Sequence, residues 1–189
     1  MSLKAPKRMV KTVRDLIYWE YACLIAEAAG FSKNYGFVIS RYKKLKNGEM
    51  SWSGTIRDFQ KQMELGKVCI YCGKKENLTV DHIIPISRAG VDPRIKCLLE
   101  SQDNCVWACR TCNIQKRDRD AFQWYEEEAK GDIPRLIRSK FLKLVYKVHE
   151  TQGTLEATDL NLVNELNVYD LGIVLTDLLL RRKDSCGRK

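Results

Sequence analysis

The stretch that decides how this chain is read runs from Cys69 to Lys116. It opens with Cys69-Ile70-Tyr71-Cys72-Gly73 and continues through Val80-Asp81-His82-Ile83-Ile84-Pro85. It then passes Asn104 and closes with Cys109-Arg110-Thr111-Cys112-Asn113-Ile114-Gln115-Lys116. Two Cys-x-x-Cys pairs bracket a single Asp-His pair. A two-residue gap lets both sulfurs of a pair reach one ion at about 2.3 Å. One such pair is weak evidence. Two pairs with residues 73–108 between them make Cys69, Cys72, Cys109 and Cys112 the ligand set of a structural Zn²⁺ site. A thioredoxin-like redox role fits poorly, because neither pair lies in a strand–helix–strand context. Cys97 and Cys105 compete for ligand places but read as buried thiols. Cys23 and Cys186 carry no pairing signal.

Around these motifs the chain reads as strand, strand, long loop, helix. Residues 68–71 and 78–84 have the short apolar pattern of two strands joined by a tight charged turn. Residues 87–103 read as irregular, since Gly90 and Pro93 break any period. A helix is predicted from Cys109 to about Lys130, and Gly131-Asp132-Ile133-Pro134 interrupts it. Outward on the N-terminal side, residues 1–9 are basic and read as frayed. Val13, Ile17, Tyr21, Leu24 and Ala28 have helical spacing, with a stop at Gly30. Tyr35, Val38, Tyr42 and Leu45 favour a second helix, although Asn47-Gly48 would also suit a hairpin. Ile56, Phe59 and Met63 suggest a third helix, capped by Ser53 or Thr55 and ending at Gly66. On the C-terminal side, Ile137, Phe141, Leu144, Val145 and Val148 predict one helix and Leu171 to Leu179 another. Their apolar faces read as core or as a dimer surface, so oligomeric state stays open. His149 reads as a solvated residue on a charged helical face. The resulting fold class is α+β and mainly helical. It divides into a basic helical extension (1–66), a central core (67–130) and a helical C-terminal extension (131–189).

The chain has 189 residues, a formal charge of +9 and a sequence pI near 9.1. Such an excess favours a polyanionic partner. Lys4, Lys7, Arg8, Lys11, Arg14, Arg41, Lys43, Lys44 and Lys46 fall in the N-terminal arm, either as a solvated face or as a nucleic-acid surface. No apolar run approaches the roughly 20 residues of a membrane span. The N-terminus has charge without a following apolar stretch, so an intracellular, cytoplasmic protein is expected. There, cysteines serve as metal ligands or reduced thiols rather than disulfides.

Asp81-His82-Ile83-Ile84-Pro85, Asn104 and Cys109-x-x-Cys112-Asn113-x-x-Lys116 resemble the HNH endonuclease family, in the variant whose third signature residue is Asn. The resemblance spans about residues 67–120 and implies a ββα-metal fold. It implies that His82 takes a proton from the attacking water and that Asp81 and Asn113 hold one divalent metal, Mg²⁺ or Mn²⁺. It further implies that Asn104 braces the loop or orients His82. The products would be a 3′-hydroxyl and a 5′-phosphate, and the partner nucleic acid, double-stranded DNA. The residue types agree on physical grounds. Phosphodiester hydrolysis needs a base near neutral pH, and unperturbed His titrates near ~6.5. Asp81 and Asn113 offer hard oxygen donors suited to Mg²⁺ or Mn²⁺. Lys116 and Arg117, three and four residues after Asn113, would share its helical face and reach the same phosphate. Neighbouring strand residues face opposite ways, so Asp81 and His82 serve one phosphate only if the strand end is bent or bulged. Trp107, Trp124 and Tyr125 read as core rather than base-stacking residues. The competing readings are a zinc-ribbon module that grips nucleic acid without cutting it, and a scaffold that uses its helical flanks for partners.

Overall fold

A computed structural model describes residues 3–52, 66–128 and 130–158. Among them are six α-helices and one two-stranded antiparallel sheet, a mainly helical α+β architecture. The described residues fall into two compact units, 3–47 with 152–158, and 48–52 with 66–128 and 130–151. These boundaries differ from the three segments read from the sequence, because the helix after Pro134 belongs with the central motif. The expected helices over 56–63 and 171–179, and Cys186, lie outside the described residues.

In the first unit, α1 (Val13–Ala28) starts where the Thr12 hydroxyl accepts the Asp15 N–H. Val13, Ile17, Tyr21 and Leu24 are buried, as their spacing predicts. The chain leaves the helix through Gly30 at φ +78, a left-handed conformation that glycine adopts without strain. Asn34 caps α2 (Tyr35–Lys46), which buries Val38, Tyr42 and Leu45; helix, not hairpin, is what forms. The two helices share one polar knot. Tyr42 Oη and Lys46 Nζ both donate to Asp15 Oδ1, at 2.9 and 2.7 Å. The expected fraying of residues 1–9 is corrected for residues 3–9. Trp19 Nε1 and the Tyr35 hydroxyl donate to the carbonyls of Leu3 and Lys4, and the Tyr42 hydroxyl lies 2.9 Å from the carbonyl of Met9.

The second unit holds the sheet, and its pairing differs from the sequence reading. Strand β1 (Leu78–His82) pairs with β2 (Cys105–Cys109), from Leu78↔Cys109 to His82↔Cys105. Residues 68–71 form no ladder strand. The chain there wraps into a turn, with Cys69 N donating to Lys74 O and Gly73 N to Cys69 O, and Gly73 at φ +76. Bringing two sulfurs of one pair together bends the backbone out of strand geometry. The span read as irregular contains α3 (Pro93–Glu100). Asp92 caps it, Pro93 occupies its first turn where no backbone donor is needed, and Ile95 and Leu99 are buried. The long helix expected after Cys109 is two. α4 (Arg110–Lys116) stops at Arg117, which has φ 55. α5 (Ala121–Glu127) restarts where Asp120 accepts the N–H groups of Phe122 and Gln123.

Helix α6 (Arg135–Gln152) buries Ile137, Phe141, Leu144, Val145 and Val148 as predicted. It also buries His149 completely, correcting the solvated placement. Lys140 Nζ donates to Gln102 O and Cys105 O, while Lys143 and Lys147 reach Asp103. These cations fasten α6 to the segment that leads into β2, which is why the helix joins the central unit.

Candidate metal centre and reaction site

The four cysteines sit at one end of the β1–β2 ribbon. Cys69 and Cys72 come from the turn before β1; Cys109 ends β2 and caps α4, whose first turn carries Cys112. All four Sγ atoms lie within 4.8 Å of one another. Cys72 Sγ and Cys109 Sγ are 3.7 Å apart. A tetrahedron with metal–sulfur bonds of about 2.3 Å has edges of about 3.8 Å, so the cluster is compatible with a structural metal such as zinc. The Cys112 backbone N–H, then neighbouring thiols, pull the Cys109 thiol down to about 7, while burial pushes the Cys69 and Cys112 thiols up. Ala108, Trp124 and Tyr125 pack around the buried Cys69, Cys109 and Cys112, with Tyr71 edge-on to Trp124 at 4.9 Å, while Cys72 is exposed. Trp124 and Tyr125 are core, as read; Trp107 is only half-buried, with Lys67 Nζ 5.0 Å from its ring. Cys97 is exposed and Cys105 half-buried, so neither is the buried thiol expected, and neither joins the cluster.

At the other end of the ribbon, β1 divides its side chains by alternation. Thr79 and Asp81 meet α4. Asn113 Nδ2 donates to Thr79 Oγ1 at 3.0 Å and to Val80 O at 3.4 Å. One turn later Lys116 Nζ donates to Asp81 Oδ1 at 3.1 Å and to His82 O at 2.7 Å. The two-residue step on the strand matches the three-residue step on the helix, so this face collects Asp81, Asn113 and Lys116. The β ladder runs unbroken through His82↔Cys105. No bulge interrupts the ladder, in which His82 holds the last position on the face opposite Asp81; the bend that the sequence reading gave as the alternative follows directly, at Ile83 and Ile84.

Lys116 is not at the surface. Its side chain is 1% exposed, and that of Asp81 5%. This corrects the expected shared phosphate face: Lys116 turns inward to Asp81, and Arg117 lies beyond the helix end, exposed. Asp81 Oδ2 also accepts the Tyr71 hydroxyl at 2.6 Å. Burial pulls the Lys116 ammonium below its usual range and pushes the Tyr71 phenol well above its own. His82 is half-buried. Desolvation holds its imidazole below the ordinary 6.5, and the nearby Lys116 charge adds to that while Asp81 opposes it.

Asn104 is wholly buried. Its Oδ1 accepts Ile84 N–H at 2.9 Å, and its Nδ2 donates to Ile84 O and Leu99 O, both at 2.7 Å. Its own carbonyl accepts Ile83 N–H. It clamps the turn that leaves His82. Sequence reasoning missed Tyr71 and Thr79. The only signal was position: Tyr71 lies inside the first cysteine pair, and Thr79 lies two residues before Asp81 on the same strand face.

For a hard divalent cation the donor set fits in kind. Each Asp81 oxygen accepts one hydrogen bond and retains a lone pair. The Asn113 amide nitrogen is engaged on β1, which leaves Oδ1 as an acceptor on the same face. No helix among the described residues is long and apolar enough to cross a membrane. Residues 69–119 match the family model described as HNH endonuclease. No curated protein and no solved structure matches the chain.

Proposed function

We propose, from the premise that residues 69–119 form an HNH endonuclease domain, that this protein hydrolyses phosphodiester bonds of double-stranded DNA. In this reading Zn²⁺ occupies the four-cysteine site and serves structure alone. Asp81 and Asn113 would hold Mg²⁺ or Mn²⁺, which would supply charge neutralisation at the leaving oxygen. His82 is the general base. Its burial keeps the imidazole uncharged near pH 7, so it can accept a proton from the attacking water. The bend at Ile83 and Ile84, directly after His82, is where one phosphate would meet both the His82 side and the Asp81–Asn113 side. Asn104 holds the following turn fixed, and the exposed Arg117 is free to meet a flanking phosphate.

One observation carries the reading: a half-exposed imidazole ends the strand whose other face pairs a carboxylate with a helix-borne amide. A module that only grips nucleic acid needs none of these three. The N-terminal unit supplies grip. Lys4, Lys7, Arg8, Lys11, Lys43 and Lys44 are exposed there. Phosphate contacts release counterions, so affinity falls steeply as salt rises. The deciding experiment incubates zinc-loaded protein with supercoiled, linear and branched DNA, with and without Mg²⁺ or Mn²⁺. Divalent-dependent cutting that leaves 5′-phosphates is the expected result. Salt-sensitive binding with no cutting under any divalent ion would replace the nuclease reading with the binding module.

A further inference from the structure

Asp81 is held by two partners, one on each carboxylate oxygen. Tyr71 reaches it from inside the first cysteine pair, and Lys116 reaches it from the last residue of α4. Lys116 also donates to the His82 carbonyl at 2.7 Å. A buried ammonium without such acceptors would be costly, and here it has two on consecutive residues of β1. The Tyr71 side chain is itself wedged against Trp124, in the layer that covers the sulfurs.

Resting on the nuclease reading, we propose that Tyr71 and Lys116 are positioning residues that aim the Asp81 carboxylate and fix the His82 peptide, so that the metal-bound end of the ribbon sets the geometry of the reacting end. Neither side chain touches substrate in this arrangement. Lys116 has no surface from which to do so. Their effect is on placement, and misplacement by about 1 Å can cost roughly 10²-fold in rate.

The test compares Tyr71→Phe and Lys116→Met with wild type and with His82→Ala. Zinc content, melting transition and DNA affinity without divalent ions are measured first. Steady-state cleavage, read as kcat and KM for DNA, and Mn²⁺ binding by electron paramagnetic resonance follow. Tyr71→Phe should keep one zinc and the wild-type DNA Kd, lose severalfold in cleavage rate and bind Mn²⁺ more weakly. Lys116→Met should lower kcat about tenfold or more with KM for DNA unchanged. A raised KM at constant kcat would mean that Lys116 binds phosphate and would overturn the assignment. So would wild-type cleavage and Mn²⁺ affinity in Tyr71→Phe, which decides the matter should Lys116→Met fail to fold. His82→Ala separates the two levels. If it is inactive while both variants cut normally, only the positioning role falls. If wild type itself does not cut, the nuclease reading falls, and weaker Mn²⁺ binding in Tyr71→Phe still reports on Asp81.

Discussion

The two ends of the β1–β2 ribbon are built from opposite principles. At the Leu78↔Cys109 end, four sulfurs converge and every ligand position is filled by protein. At the His82↔Cys105 end, polar groups are aimed but not exhausted. Asp81 and Asn113 keep acceptor capacity, and His82 stays half-exposed. A closed set of soft ligands holds a structure together; an open set of hard donors keeps a position for an ion or a ligand. The difference teaches that a ribbon of five ladder positions keeps a closed sulfur cluster and an open polar group apart, one at each end.

Breaking the closed end should have the largest effect. Cys72→Ser, or chelation, should remove the metal and with it the docking of the 69–74 turn onto α4. Binding of structural zinc contributes of order 10 kcal/mol to folding. Metal analysis and thermal melting should therefore show loss of zinc and of the cooperative transition together. A folded, stable protein carrying no zinc would refute the division of labour. Breaking the open end should be milder for the fold and severe for the chemistry. His82→Ala should retain zinc, melting transition and DNA binding while losing about 10² to 10⁴ in cleavage rate. Near wild-type cutting by a folded His82→Ala protein would remove His82 as the base.

How much of this was legible from sequence follows the same contrast. The cysteine spacing announced the closed end because metal geometry constrains local spacing. Helices α1, α2 and α6 announced themselves because each buries a periodic stripe. The partner of β1 was not legible. Residues 68–71 have strand-like composition, but sulfur placement turns them, and the true partner begins more than twenty residues after His82. The break after Lys116 was hidden because nothing in Lys116-Arg117-Asp118 looks like a stop; the non-glycine left-handed turn at Arg117 makes it. The inward turn of Lys116 was hidden too. Helical spacing placed it beside Asn113 but could not show that Asp81 and the His82 carbonyl would enclose it.

A smaller effect separates ligand from base within the open end. Asn113→Ala should cut slowly because it binds the divalent ion less tightly, and raised Mg²⁺ or Mn²⁺ should restore part of the rate. The same ions should do nothing for His82→Ala. Equal failure to respond in both variants would mean that Asn113 acts through its bonds to Thr79 and Val80 rather than through a metal.

The smallest expected effect is on stability, and it sharpens the contrast through the second histidine of the same unit. His149 lies wholly inside α6, and burial lowers its pKa to about 4 from 6.5. Protonation therefore favours the unfolded chain, which binds the proton first as pH falls. The stability from keeping His149 neutral is complete above about pH 6.5 and is lost progressively as pH falls toward 4. The full drop corresponds to roughly 3 kcal/mol. His82, also lowered by burial, adds a part in the same window. Asp103, lowered by its hydrogen bonds to Lys147 and Lys143 against the opposing effect of burial, loses its contribution only below the ordinary carboxylate range. His149→Gln removes the larger titration. Chemical denaturation of the zinc-loaded protein at pH 7 and pH 5 should show a smaller loss in the variant than in wild type, with cleavage at pH 7 retained. His82→Ala should show the reverse, a nearly wild-type acid response and no cleavage. Identical acid responses in His149→Gln and wild type would place the acid-sensitive step elsewhere, and would leave the buried histidine as packing alone.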